Sequence, residues 1–207
     1  METVKFDEKN EMPIMEAFYS LQGEGYYAGR PAYFIRLAGC DIGCVWCDVK
    51  ESWTAQKNQI QSIESIVNKC VTSNTNFVVI TGGEPAMYDI SYLVQALQNN
   101  KMEVAIETSG AYQLSSHIDW YCFSPKKFKF PCEEAYQRAD ELKIIVFNKS
   151  DLRWAEKHAE KVNNKCILYL QAEWSKKELI TPLIIDYVKT NIKWKISLQT
   201  HKYLDIP

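Results

Sequence analysis

The chain has 207 residues, enough for one domain with a sizeable core and short for two. Its net charge of −2 leaves no strong field to gather nucleic acid or an anionic membrane. No apolar run approaches the roughly 20 residues of a membrane span. Residues 1–7 lack the apolar stretch of a signal peptide, so a cytoplasmic protein is expected, with its seven cysteines serving as thiols or ligands.

With no repeat, low-complexity tract or long linker, residues 1–207 read as a single domain. Short apolar runs alternate with amphipathic stretches. Residues 16–21 and 32–38 read as early strands. Ser62 suits the cap of a helix carrying Ile63, Ile66, Val67, Cys70 and Val71 on one face. Residues 77–81 form a β-branched run that stops at Gly82-Gly83, the mark of a buried strand. Asp89 begins a helix that turns Ile90, Leu93, Val94 and Leu97 inward. Strands follow at 103–107, 120–123, 141–147 and 166–171, with a helix from Ser150 or Asp151 over Leu152, Ala155 and Ala159. Further on, Ser175 to Glu178 fits a capping box and Thr181-Pro182 fits a helix start, leaving two candidate boundaries. Residues 195–198 read as the last strand.

This alternation implies a mainly parallel sheet with helical crossovers. A complete eightfold barrel takes around 250 residues, so the expected fold is α/β, an incomplete TIM-type barrel. In such folds the active site lies at the C-terminal ends of the strands. Four polar loops fall there: the one from Cys40 to Asp48, Thr81-Gly82-Gly83-Glu84, Glu107-Thr108-Ser109-Gly110, and Ser124-Pro125-Lys126.

Cys40, Cys44 and Cys47 are separated by three and two residues, so one loop can wrap three soft thiolates around a metal centre. A structural zinc site needs a fourth protein ligand. His117, His158 and His201 are all remote in sequence, and Cys70, Cys122, Cys132 and Cys166 are scattered. Three local ligands instead leave one iron of a 4Fe–4S cluster open to chemistry. A structural zinc site remains the rival reading. The spacing, with Trp46 before the third cysteine, resembles that of the radical S-adenosylmethionine (SAM) superfamily, in which the open iron chelates SAM.

In the other loops, Gly82 and Gly83 let backbone approach a ligand without a Cβ in the way. Following the clustered cysteines, Gly-Gly-Glu-Pro resembles the superfamily's methionine-binding turn. Glu107 and Ser109 suit a ribose diol, though a cap with a turn glycine explains them equally well. Ser124, Pro125 and Lys126 suit backbone contacts and one cation, and the competing reading is a plain Pro turn.

The segments Phe18-Tyr19-Ser20-Leu21-Gln22-Gly23-Glu24-Gly25, Gly29-Arg30-Pro31 and Phe34-Ile35-Arg36-Leu37, with the ending Gln199 to Pro207, resemble the 7-carboxy-7-deazaguanine synthases. The resemblance runs from about Glu16 to Pro207 and is weak over 128–164. It implies a lyase that contracts 6-carboxy-5,6,7,8-tetrahydropterin to 7-carboxy-7-deazaguanine and ammonia, on the route to queuosine. It also implies a 4Fe–4S cluster, SAM and Mg2+ as cofactors, a homodimer, and an external flavodoxin-like electron donor.

Residue by residue, the resemblance implies that Trp46, Cys47, Asp48, Gly83, Glu84, Glu107, Ser109, Ser124, Pro125, Lys126 and Gln171 meet SAM. It implies that Leu21, Gln22, Gly23, Glu24, Arg36, Thr81, His201 and the carboxylate of Pro207 meet the substrate. Arg36 offers a planar fork for a carboxylate, with pairing to Glu24 as its plainer alternative. The family commonly has Thr where this chain has Val49, and valine offers magnesium no oxygen. Two rivals stay open: an activase of a glycyl radical enzyme, and a non-catalytic zinc or iron–sulfur module.

Overall fold

The computed structural model describes residues 4–207 apart from Trp46, Asp48 and Ser115. In chain order its main elements are β1 (Glu11–Leu21), β2 (Pro31–Leu37), β3 (Ile60–Ser62), α1 (Ile63–Val71), β4 (Phe77–Gly82) and α2 (Ser91–Asn99). Next come β5 (Glu103–Thr108), β6 (Trp120–Phe123), α3 (Glu133–Arg138), β7 (Glu141–Val146) and α4 (Ser150–Ala159). The chain closes with β8 (Ile167–Ala172), α5 (Lys177–Thr190), β9 (Trp194–Ser197) and α6 (Thr200–Leu204).

The strands form one sheet in the order β3-β1-β2-β4-β5-β6-β7-β8-β9. β1 is antiparallel to β2 and β3, and every pairing from β2 through β9 is parallel. The sheet stays open, as an incomplete barrel requires. Period-two alternation gives each parallel strand an outer and an inner face. Ile35, Leu37, Val78, Ile80, Val104, Ile106, Leu142, Ile144, Leu168 and Leu170 turn outward and bury against the helices. In α1, Ile63, Ile66, Val67 and Cys70 are buried, and each large side chain among them contributes roughly 1.5–3 kcal/mol. Val71, expected on that face, is 47% exposed.

The inner face is apolar at the N-terminal ends, where Ala32, Phe34, Phe77, Val79 and Ala105 pack together. Two residues further along the same strands it becomes polar, at Arg36, Thr81 and Glu107. The register aligns these changes: Phe34 faces Val79 and Arg36 faces Thr81 on the next strand.

Several boundaries depart from the sequence expectations. β1 begins at Glu11, before the expected residue 16, because its first part pairs with the short edge strand β3 and its second with β2. Pro13 hides this in the sequence, yet its carbonyl accepts from Ala38 N at 2.8 Å. α2 starts at Ser91, with Asp89 Oδ1 accepting from Ser91 N in front of it (3.1 Å). Neither boundary proposed near residues 175–182 is correct. Ser175 bonds the Glu173 carboxylate through N (3.2 Å) and Oγ (2.6 Å), so no Ser175 capping box forms. α5 starts at Lys177 and runs through Pro182, whose ring removes only the one bond that would reach Glu178.

Candidate active site

The four polar loops meet at the C-terminal ends of the strands, around one cavity. Its wall includes Cys40, Cys44 and Cys47, Val49, Thr81, Gly82, Gly83, Glu84, Glu107, Ser109, Ser124, Lys126 and Gln171. It also includes Leu21, Gln22, Gly23, Glu24, Arg36, His201 and Pro207. Residues far apart in sequence are thus gathered on one surface. Pro125 is the exception: it is buried and lines a neighbouring hollow with Val45 and Trp154, while Lys126 borders both. The expected SAM contacts Trp46 and Asp48 lie outside the described residues.

The cysteine loop is anchored at both ends. Gly39 N donates to Ser52 O (2.6 Å), Cys40 N to Trp53 O (3.1 Å), and Cys47 N closes a turn on Cys44 O (3.1 Å). Gly39 has φ 105°, which a side chain would strain. The thiols of Cys40 and Cys44 are pushed up by burial, that of Cys44 to about 11. Neutral thiols at neutral pH become ligands only when a metal displaces their protons.

Among the described residues no three His, Cys, Asp or Glu side chains stand close enough to hold a single metal ion. Cys40, Cys44 and Cys47 are soft donors from one loop that all line one cavity, a donor set that suits an iron–sulfur cluster with one iron left open. The residues present therefore fit the cluster. For magnesium the fit is poorer, because Val49 lines the cavity without an oxygen to offer.

The Gly82-Gly83 turn lies flush on the cysteine loop. Gly83 N donates to Leu37 O and Glu84 N to Gly39 O, each at 2.9 Å. A Cβ on Gly83 would stand 2.1 Å from Gly39 O, and one on Gly82 would stand 2.3 Å from Leu37 O. The Glu84 carboxylate, 1% exposed, does not open to the cavity as a free group. It accepts from Ala86 N (3.1 Å), Thr108 Oγ1 (2.5 Å) and Ser109 N (2.8 Å), tying the turn to the end of β5.

Arg36 pairs with Glu16 across the β1–β2 register (Nε–Oε1 2.5 Å), not with Glu24. The partner of Glu24 is Lys143, a residue missed in the sequence (2.5 Å to Oε2). Gln199 Nε2 donates to the other oxygen of Glu24 (2.9 Å), and Gln22 Nε2 donates to Glu107 (3.1 Å). Gly23 lets the His201 ring approach, since a Cβ there would stand 2.1 Å from Nδ1. Burial lowers the pKa of that imidazole, which favours the neutral ring. Pro207 O accepts from Ser20 Oγ at 2.8 Å, which brings residue 207 beside β1. Lys143 sits in the run Glu141-Leu142-Lys143-Ile144-Ile145-Val146. A lysine inside a strand buried on both faces was the signal that could have found it.

The model of the radical SAM superfamily matches residues 34–114, which hold the three cysteines, the double-glycine turn and Glu107. A curated protein of Flavobacterium psychrophilum, named 7-carboxy-7-deazaguanine synthase, is 55% identical over 201 residues, covering 97% of this chain and 95% of its own length. The chain belongs to the 7-carboxy-7-deazaguanine synthase family. Its cofactors are accordingly a 4Fe–4S cluster and SAM. The protein of that name from Escherichia coli K12 is 34% identical over 222 residues, covering 95% of this chain and 99% of its own. The crystal structure of QueE from Escherichia coli superposes with a TM-score of 0.82 at 30% identity, covering 91% and 93% of the two chains. Membership in this synthase family disfavours the activase and zinc-module readings.

Proposed function

We propose that this chain contracts the ring of 6-carboxy-5,6,7,8-tetrahydropterin to give 7-carboxy-7-deazaguanine and ammonia. The observation that carries the reading is one cavity lined by Cys40, Cys44 and Cys47 together with Gln22, Glu24, Arg36 and Thr81. Cys40, Cys44 and Cys47 would hold the cluster, and the Gly83 backbone together with Ser109, Ser124 and Gln171 would hold SAM. Bound there, cluster and SAM supply a carbon-centred radical able to remove a hydrogen atom from an unactivated C–H bond.

The chain's own residues bind and orient the substrate. Arg36 supplies a fixed cationic fork for the substrate carboxylate, its Nε already held by Glu16. Glu107, expected to meet SAM, is bonded to Gln22 and shares Lys143 with Glu24, so we assign it to the substrate instead. Glu24 and Glu107 accept from N–H groups along the ring edge, and Gln22 sets the spacing between them. The surrounding apolar walls, Phe18, Phe34 and Ile145, exclude water.

We further propose a homodimer in the cytoplasm, served by an external electron donor. The seven free cysteines suit a reducing compartment. Among the described residues no helix is long and apolar enough to cross a membrane. Val45, 70% exposed between Cys44 and Cys47, offers a donor an exposed apolar point on the cysteine loop.

The test is anaerobic reconstitution with iron and sulfide, followed by SAM, dithionite and the tetrahydropterin. A product with the mass and ultraviolet spectrum of 7-carboxy-7-deazaguanine is expected. Cleavage of SAM without that product would refute the substrate assignment.

A further inference from the structure

Lys143 lies on the inner face of β7, with its side chain 4% exposed. A lysine this deep normally sheds its proton unless anions hold it. Here Nζ reaches Glu24 Oε2 at 2.5 Å and Glu107 Oε2 at 3.3 Å. Glu24 lies in the loop after β1 and Glu107 ends β5, two strands away from β7. One buried ammonium therefore ties together two carboxylates that chain connectivity does not hold in place.

The opposite oxygens are engaged from the other side, Glu24 Oε1 by Gln199 and Glu107 Oε1 by Gln22. A carboxylate oxygen has two acceptor sites, so each retains capacity toward the cavity that all five residues line.

We propose that Lys143 is a positioning residue that selects the substrate: bonded to both Glu24 and Glu107, it holds the two carboxylates aimed as acceptors, so the cavity takes a bicyclic heterocycle by an edge of N–H donors. This rests on the function proposed above. The groups facing Lys143 are Glu24, Glu107, Glu141 on its own strand and Cys122 on β6; Lys126 and His201 complete the titratable surroundings. Burial alone would raise the Glu24 carboxyl, but the Lys143 charge and the hydrogen bonds from Lys143, Gln199 and Gln171 together outweigh it and hold that carboxyl below its ordinary value. Without the ammonium, only the hydrogen bonds from Gln199 and Gln171 still oppose burial, so Glu24 takes up a proton more readily as pH falls. A protonated oxygen donates where the substrate edge also donates, so the match is lost.

The experiment measures the Kd of the stable analogue 6-carboxypterin by fluorescence quenching between pH 6 and 8, alongside kcat, on the reconstituted protein. The parent should bind with a Kd that is flat over this range, since Glu24 stays ionised throughout. Lys143→Met should bind about tenfold more weakly at pH 8, and weaker still by roughly another tenfold at pH 6, the scale of one lost charge-assisted hydrogen bond per step.

The double variant Lys143→Met/Glu24→Gln removes the unpaired buried acid and so protects folding. Its Kd should stay raised but become flat with pH. A Lys143→Met Kd that is flat with pH and within threefold of the parent would overturn the proposal, as would parent-like binding by the double variant. Parent protein that binds the analogue with a flat Kd but forms no product would refute the reaction while leaving the Lys143 claim to be judged on binding.

Discussion

Gly83→Ala isolates the contact between the double-glycine turn and the cysteine loop. The added methyl would stand 2.1 Å from Gly39 O, 2.7 Å from Gly39 C and 2.9 Å from Cys40 Cβ. Carbon and oxygen tolerate about 3.3 Å, so the two segments must separate by roughly 1 Å. Neither can do so freely. Gly39 O accepts from Glu84 N, Gly39 N donates to Ser52 O, and Cys40 N donates to Trp53 O. The strain is therefore carried into the Gly39-Cys40 backbone, which holds the first cysteine. Overpacking of this kind costs about 1–3 kcal/mol, which the fold should survive. A displacement of about 1 Å at a reacting group costs about a hundredfold in rate. The assay is melting temperature, iron per chain after reconstitution, and rate of product formation, each against the parent. The expectation is a folded protein that loads less iron and turns over at least tenfold more slowly. Parent-level iron and a rate within twofold would show that the turn does not position the cysteine loop.

Three further outcomes are expected. Glu84→Gln should lower stability by about 2–3 kcal/mol in urea unfolding, because an amide cannot accept from all three buried donors that Glu84 serves. His158 is 8% exposed, bonded to Tyr136 at 2.9 Å, and its pKa is lowered by burial to about 4. The unfolded chain then binds the extra proton between pH 6.5 and 4, so stability falls as pH drops through that window. The loss is about 2 kcal/mol between pH 7 and 5, and His158→Phe should flatten that part of the urea-derived pH profile. Val49→Thr places a hydroxyl on the cavity wall, and the ratio of turnover with and without magnesium should rise above that of the parent.

The local parts of the site were legible because their meaning lies within a few residues. The three cysteines, the double glycine and the Ser62 cap, whose Oγ accepts from Ser65 N, are motifs of sequence spacing. The parts that were missed depend on register. Arg36 meets Glu16 because those residues face each other in the antiparallel β1–β2 pair. Lys143 and Gln199 reach Glu24 only after the parallel strands from β5 to β9 are stacked in order. Pro182, read as marking a helix start, sits inside α5. α3 and α6, of six and five residues, are too short to show a helical period.

The open iron is the point on which the chemistry turns, and electron paramagnetic resonance of the dithionite-reduced, reconstituted protein addresses it most directly. The account predicts the signal of a reduced 4Fe–4S cluster whose g-values move when SAM is added, and loss of that signal in Cys44→Ala. A cluster signal indifferent to SAM, or one that survives removal of Cys44, would contradict it.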